Sequence, residues 1–307
     1  MAIQPAAPTA TRPRSASPRL GRWAGPYALL LPSIVILVLF TVWPMLLAAW
    51  QSLFRMNLAT PVPRFNGLGN YAVLFADPVF WKVVGNTLIF AATTAFPSIA
   101  LALALALLVN NKVRTSWLGR TAIFYPALLP AVSAASIWLF MYTPTYGLVT
   151  RFLTYFGLSN TMNVLGDAHW AMPAIIVMSV WKQAGFYMVF YLAALQGLPQ
   201  DVHEAAIVEG ATGWQEFRGI TFPLLGPTTL FLSMSGILSG LQLADPLYIM
   251  TKGGPDNATS TIIFYLYQKA FGSWDQGVAS ALSVMLIVLF LAIGLFHYGY
   301  LDKKVHY

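Results

Sequence analysis

The sequence predicts an all-α integral membrane protein with six transmembrane helices and a cytoplasmic elbow between helices 4 and 5. Two observations carry that prediction. Hydrophobic side chains make up 58% of the 307 residues and charged ones only 9%, whereas a soluble chain spends about 25% of its residues on charge to face water. The apolar residues are also gathered into charge-free intervals long enough to cross a bilayer, which takes roughly 20 residues for a core of about 30 Å.

The intervals lie between Arg22 and Arg55 (densest from Tyr27 to Trp50), Lys82 and Lys112, Arg120 and Arg151, Arg218 and Asp245, and Asp275 and Asp302. Another span, from about His169 to Leu195, is interrupted by Lys182 alone. Between Asp256 and Lys269 there are 12 residues, too few to cross, which predicts an interfacial or partner-facing segment. With no barrel-like alternation, backbone polar groups in lipid can be satisfied only in helices. Residues 1–22, rich in Pro, Ala, Ser and Thr, read as a disordered tail ahead of one membrane domain over 23–307. The first span, with Pro32 and Pro44 inside it and no small-residue cleavage site after it, is not expected to be a signal peptide.

With the N-terminus inside, the inner segments hold ten Lys and Arg and the outer ones six, Lys182 being in the membrane. The bias puts both termini in the cytoplasm. The net charge of +7 is therefore topology rather than a nucleic-acid footprint, and the lack of cysteine excludes a disulfide scaffold.

The loop from Gln196 to Arg218 breaks this pattern, with Asp201, Glu204, Glu209 and Glu216 against a single Arg. Its signals are those of two short helices. Asp201 and Glu204 form a potential capping box for the first, and Gly210 is a left-handed residue to end it. Thr212 and Gln215 repeat the box for the second, which Pro223 terminates or kinks. The small pair Ala205 and Ala206 lets another protein approach closely, while Gly210 and Ala211 keep the bend compact. Acidic charge disfavours the alternative of a loop lying on anionic lipid.

The residues Glu204-Ala-Ala-x-x-Glu-Gly-Ala, followed by Phe217, Ile220, Pro223, Leu224 and Pro227, resemble the EAA loop of permease subunits in binding-protein-dependent ABC importers. Glu209 stands where that motif usually has Asp. Ser179-Val-Trp-Lys-Gln-x-x-Phe-Tyr before it and Thr251-Lys-Gly-Gly-Pro-x-x-x-Thr-Ser-Thr261 after it resemble the carbohydrate branch, which imports oligosaccharides, polyols and glycerol-3-phosphate. The resemblance implies a coupling helix docking into a separate cytoplasmic ATPase. Glu204 would meet a basic group there, Gly210 would form the bend, and Phe217, Ile220 and Pro223 would anchor the second arm. It further implies a second homologous permease, two ATPase copies that bind the ATP and Mg, an extracytoplasmic solute-binding protein, and a home in the bacterial inner membrane.

No lysine is followed by Ser or Thr, so no Walker A loop exists here to cradle phosphates and the chain is not expected to be an enzyme. Neither Ser235-Gly236 nor Ser239-Gly240 makes the Gly-x-Ser-Gly of a rhomboid-type protease, and no metal-ligand spacing occurs. An ion-coupled secondary transporter remains the alternative, but it needs intramembrane acids, and all ten acids lie in loops, tail or span edges.

Lys182, next to Gln183 and a turn from Phe186 and Tyr187, is either a translocation-path residue or a structural ion pair. Gln242 and Asp245 are further path candidates, as is Trp138, for which an aromatic belt at the outer interface is the favoured account. Gly236 and Gly240 predict close helix packing, with the second permease as a candidate partner. The segments 51–82 and 245–275 are expected to meet the binding protein, with Asn66–Tyr71 in a small cap over the cavity.

Overall fold

A computed structural model describes residues 29–110, 117–157, 163–297 and 299. The predicted tail, 1–22, and the basic residues of 112–114 and 303–304 lie outside them. The chain divides into two units, Met1–Ala48 and Ala49–Tyr307.

In the first unit, α1 begins at Leu29 and runs on to Gln51 beyond the boundary; its Val38–Val42 turn is π-helical. Pro44 explains that turn. A proline has no N–H to give the carbonyl one turn back, so the helix widens just ahead of it, and the Trp43 amide bonds Val38 instead of residue 39.

The second unit opens with β1, Phe54–Asn57, and β2, Thr60–Phe65, an antiparallel hairpin followed by α2, Gly69–Ala76. This hairpin is a small addition to the predicted all-α chain. The long helices follow: α3, Pro78–Asn110; α4, Trp117–Leu128; α5, Ala131–Met141; α6, Leu148–Tyr155; and α7, Ala171–Gln196. The elbow contains α8, Gln200–Val208, α9, Gly213–Glu216, a π turn at Phe217–Thr221, and α10, Phe222–Leu224. Then come α11, Gly226–Leu241; α12, Asp245–Met250; α13, Ile262–Tyr267; and α14, Gln276–Phe296.

Five of these segments are long and apolar enough to cross a membrane, and a sixth is broken. The predicted third span is two helices, α4 and α5, bent by 103°. Pro130 sits at the break with ψ 143°. Its ring clashes with helical backbone at the preceding residue, so α4 must stop there. The stretch between Asp256 and Lys269 forms the short α13, as its length requires.

Helix α3 is the spine. At 33 residues and 1.5 Å per residue it is about 50 Å long, well beyond a hydrocarbon core. Phe80 and Val83, then Phe90, then Ile99, Ala102 and Ala106 take it through three successive buried clusters. It packs against α7 and α11, and small residues set the distance. A Cβ on Gly240 would lie 2.7 Å from Ala91 Cα, and one on Gly236 would lie 3.1 Å from Ala95 Cβ. The GxxxG stripe is thus consumed within the chain, not kept for a second permease. Lipid is as apolar as a side chain, so close backbone approach is what holds membrane helices together.

The segment Asn66–Tyr71 is tied to the hairpin and to the start of α14. Asn70 Nδ2 donates to the carbonyls of Ser52 and Phe54 (2.7 and 2.9 Å), and the notional Cβ of Gly277 falls 2.5 Å from the Phe54 oxygen. Hairpin and α2 are thereby pinned to the start of α14. On another face, Lys82 pairs with Asp256 (3.2 Å), Asn86 donates to the Asn257 and Ser260 carbonyls, and the Ile262 amide donates to Thr87 Oγ1. These bonds tie the 251–261 loop to α3.

Candidate functional site

The elbow is built by local chemistry. Gly210 has φ +76°, a left-handed value that costs a residue with a Cβ but not glycine. That conformation lets the Ala211 amide reach the Ala206 carbonyl and the Gly210 amide the Ile207 carbonyl, both at 3.0 Å, closing α8. Thr212 then starts α9 with a complete capping box. Its amide donates to Gln215 Oε1 (2.8 Å), and its hydroxyl accepts from the Gln215 amide (3.4 Å).

The first predicted box is absent. Pro199 occupies the N-cap of α8, and Asp201 lies inside the first turn without a cap bond. Proline pre-sets the backbone for helix entry, and Asp201 contributes only its charge near the positive helix end.

A second π turn reproduces the first. The Phe222 amide bonds Phe217, five residues back, just ahead of Pro223. Pro223 itself is exposed, as is Glu204. Anchoring falls instead on Thr221 and the fully buried Leu225, which joins Tyr187 and Tyr191 in the core. Phe217 stacks on Trp214 within its own arm (5.6 Å between centroids), and Ile220 is half-buried. Of the small pair, Ala205 is exposed but Ala206 is buried by its own chain, so only Ala205 is available to another protein.

Beside the exposed Glu204 and Glu209 stand Ile207, Val208 and Trp214, which are 69%, 87% and 67% exposed. These apolar residues were not singled out in the sequence. Their signal is that they sit, large and water-averse, in the most acidic loop of the chain.

The intramembrane candidates separate. Lys182, Gln183, Phe186 and Tyr187, all on α7, line one cleft of about 130 Å³ with Ala127 of α4 and Ser235 and Ser239 of α11. Gly185 brings α4 in, since a Cβ there would strike the Ile123 carbonyl at 2.3 Å. The Tyr187 hydroxyl donates to Gln183 Oε1 (3.3 Å), and the Ser235 and Ser239 hydroxyls lie against it. The serines are four residues apart, hence on one helix face. That spacing would have flagged them.

The structure does not bring the other three candidates to this cleft. Gln242 is exposed past the end of α11, where the helix stops before Asp245. Asp245 opens α12 beside a different hollow with Tyr248, Phe264 and Tyr267. Trp138 packs edge-on against Trp181 (5.6 Å) in the cluster around Tyr142 and Met178. Near the end of α14, His297 Nε2 lies 3.3 Å from Ser233 Oγ and 3.1 Å from the Leu230 carbonyl, a buried tie from α14 to α11. Among the described residues, no group of three His, Cys, Asp or Glu could hold a metal.

Several apolar helices, one of them broken, around a central spine and a polar cleft define a multi-pass membrane transport component. The chain belongs to the family of binding-protein-dependent transport system inner membrane components, which matches residues 87–307. It is therefore an ABC-importer permease. It is 34% identical to the sn-glycerol-3-phosphate transport system permease protein UgpA of Agrobacterium fabrum, over 92% of this chain and 96% of that one. The UgpA of Salmonella typhimurium is likewise 34% identical, over 93% and 96%. A solved bacterial ABC transporter involved in importing the acidic polysaccharide alginate superposes with TM-score 0.81 at 25% identity, covering 94% of this chain and 98% of that chain. A solved bacterial alginate ABC transporter in complex with alginate pentasaccharide-bound periplasmic protein shares the fold, with TM-score 0.80 at 24% identity, covering 94% of this chain and 98% of that chain.

Proposed function

We propose that this chain forms half of the translocation pathway of an ATP-driven importer for a sugar, oligosaccharide, polyol or glycerol-3-phosphate-like solute. A second, related permease supplies the other half. Two copies of a cytoplasmic ATPase bind the ATP and Mg, and an extracytoplasmic solute-binding protein delivers the solute. Both termini face the cytoplasm, as the Lys and Arg bias favours.

The elbow carries this reading. It offers Glu204 and Glu209 around Ala205, Ile207 and Val208, an exposed apolar patch rimmed by charge, which marks a protein-binding surface. A cleft in a partner with basic rims fits that pattern. The rigid bend at Gly210 and the Leu225 anchor connect the surface to α11, so a push on α8 reaches the helices around Lys182. Closure of the ATPases then alternates access to the central path.

Purification of the chain from its native membrane in mild detergent tests this. An ATPase, a second permease and a solute-binding protein should co-purify, and the vesicle-reconstituted assembly should accumulate solute only with ATP. Nucleotide-independent uphill uptake by the chain alone, or reporter fusions placing the elbow outside, would sink the assignment.

A further inference from the structure

We propose that the Lys182 cleft is an oxyanion subsite that reads the phosphate or carboxylate of an acidic solute, an inference resting on the importer reading above. The first observation is the state of the charge. Lys182 is half-buried near the middle of a spanning helix, and among the described residues its ammonium has neither a carboxylate within 4 Å nor a hydrogen bond. A cation in that position is costly unless it faces a cavity or a partner charge.

The second observation is the donor balance. The Gln183 oxygen already accepts from Tyr187, which leaves the two N–H groups of that cleft-lining side chain to add to the three of Lys182. The Ser235 and Ser239 hydroxyls on the facing helix lie against the Tyr187 oxygen and line the same cleft. A site rich in donors with one positive charge matches a group that is all acceptor and negative, as phosphate and carboxylate oxygens are. A neutral polyol would need acceptors in equal number, and a cationic solute would be repelled.

The third observation is size. At about 130 Å³ the cleft falls below the roughly 300 Å³ at which pockets enclose whole small molecules. It holds a head group, leaving the rest of the solute to the opposite half of the path. Phe186, exposed at the rim, offers a ring face beside it.

The test uses the complete importer in phosphatidylcholine vesicles, with sn-glycerol-3-phosphate and an acidic oligosaccharide as probes and glycerol and a neutral sugar as controls. Uptake of the acidic probe should fall about tenfold or more in Lys182→Gln and further in Lys182→Glu, while Lys182→Arg stays within about threefold, because a charge-assisted bond is lost, inverted or kept. All three variants should assemble with their partners as the unaltered chain does. Uptake of the acidic probe at the unaltered rate by Lys182→Gln would overturn the proposal while leaving the importer reading intact. So would loss of assembly in step with uptake, which would make Lys182 a structural ion pair with a partner. Uptake by the unaltered importer of the neutral solutes but of neither acidic probe would overturn it too. Should the order of variants emerge only on adding phosphatidylglycerol, the occupant is a lipid headgroup and the proposal falls. Failure of the unaltered assembly to move any of the four solutes with ATP would instead overturn the importer reading itself.

Discussion

His203 on the first arm of the elbow and Glu216 on the second meet side chain to side chain, imidazole Nδ1 against carboxylate oxygen. The pair spans the Gly210 bend and is 35% and 23% exposed, so solvent only partly competes for it. Together with the Thr212–Gln215 box it makes the bend a braced corner rather than a hinge. Removing either partner, in His203→Ala or Glu216→Ala, should loosen the elbow locally by about 1–2 kcal/mol. Amide hydrogen exchange across 197–225 should speed up, and the assembled importer should hydrolyse more ATP per solute moved. Unchanged exchange in that segment would show that the brace carries nothing.

Charge reversal in Glu204→Lys leaves the chain intact, since the side chain is exposed and outside every buried cluster. Against the basic groove proposed for the partner, it should abolish ATP-driven uptake while membrane insertion stays normal, because like charges across an interface cost several kcal/mol. Uptake and membrane abundance measured on the same cells check this.

Gly240 is predicted to be the less forgiving glycine of the α3–α11 contact. An alanine there meets the backbone of Ala91 at 2.7 Å, while one at Gly236 meets a side-chain methyl at 3.1 Å. Overpacking of this kind costs about 1–3 kcal/mol. Thermal unfolding in detergent should place Gly240→Ala clearly below Gly236→Ala in Tm.

Outside the spanning helices, Asp77 ahead of α3 accepts from the Tyr265 hydroxyl at 2.6 Å and the Val79 amide at 2.9 Å. Partial burial works against the charge, but the Tyr265 and Val79 bonds outweigh it and hold the carboxyl below its usual range. Burial and the same carboxylate push the Tyr265 hydroxyl above its usual range. A lowered acid contributes stability above its unfolded pKa, lost as pH falls through the folded value. A raised hydroxyl contributes below its unfolded pKa, lost as pH climbs through the folded value. The tie is therefore whole between about pH 4 and about pH 10. Tyr265→Phe should flatten the acid limb of the stability curve below about pH 4; a curve superimposable on that of the unaltered chain would contradict this.

Sequence periodicity and composition determined that the chain spans a membrane, where most spans lie, and that an acidic bend separates α7 from α11. These features are written locally: apolar residues must fill a bilayer's thickness, and Gly210, Thr212 and Pro223 impose their backbone geometry on their neighbours. The third span shows the limit, since an apolar count does not register that Pro130 turns the chain through 103°. Only tertiary packing decided which polar residues share a site. Ser235 and Ser239 join Lys182 because Gly236 and Gly185 admit neighbouring helices at close range, whereas Gln242, Asp245 and Trp138 are carried elsewhere by a helix end and a bend. Such distances depend on atoms far apart along the chain, as Ile123 and Gly185 or Ala95 and Gly236 are, and no spacing rule within one segment encodes them.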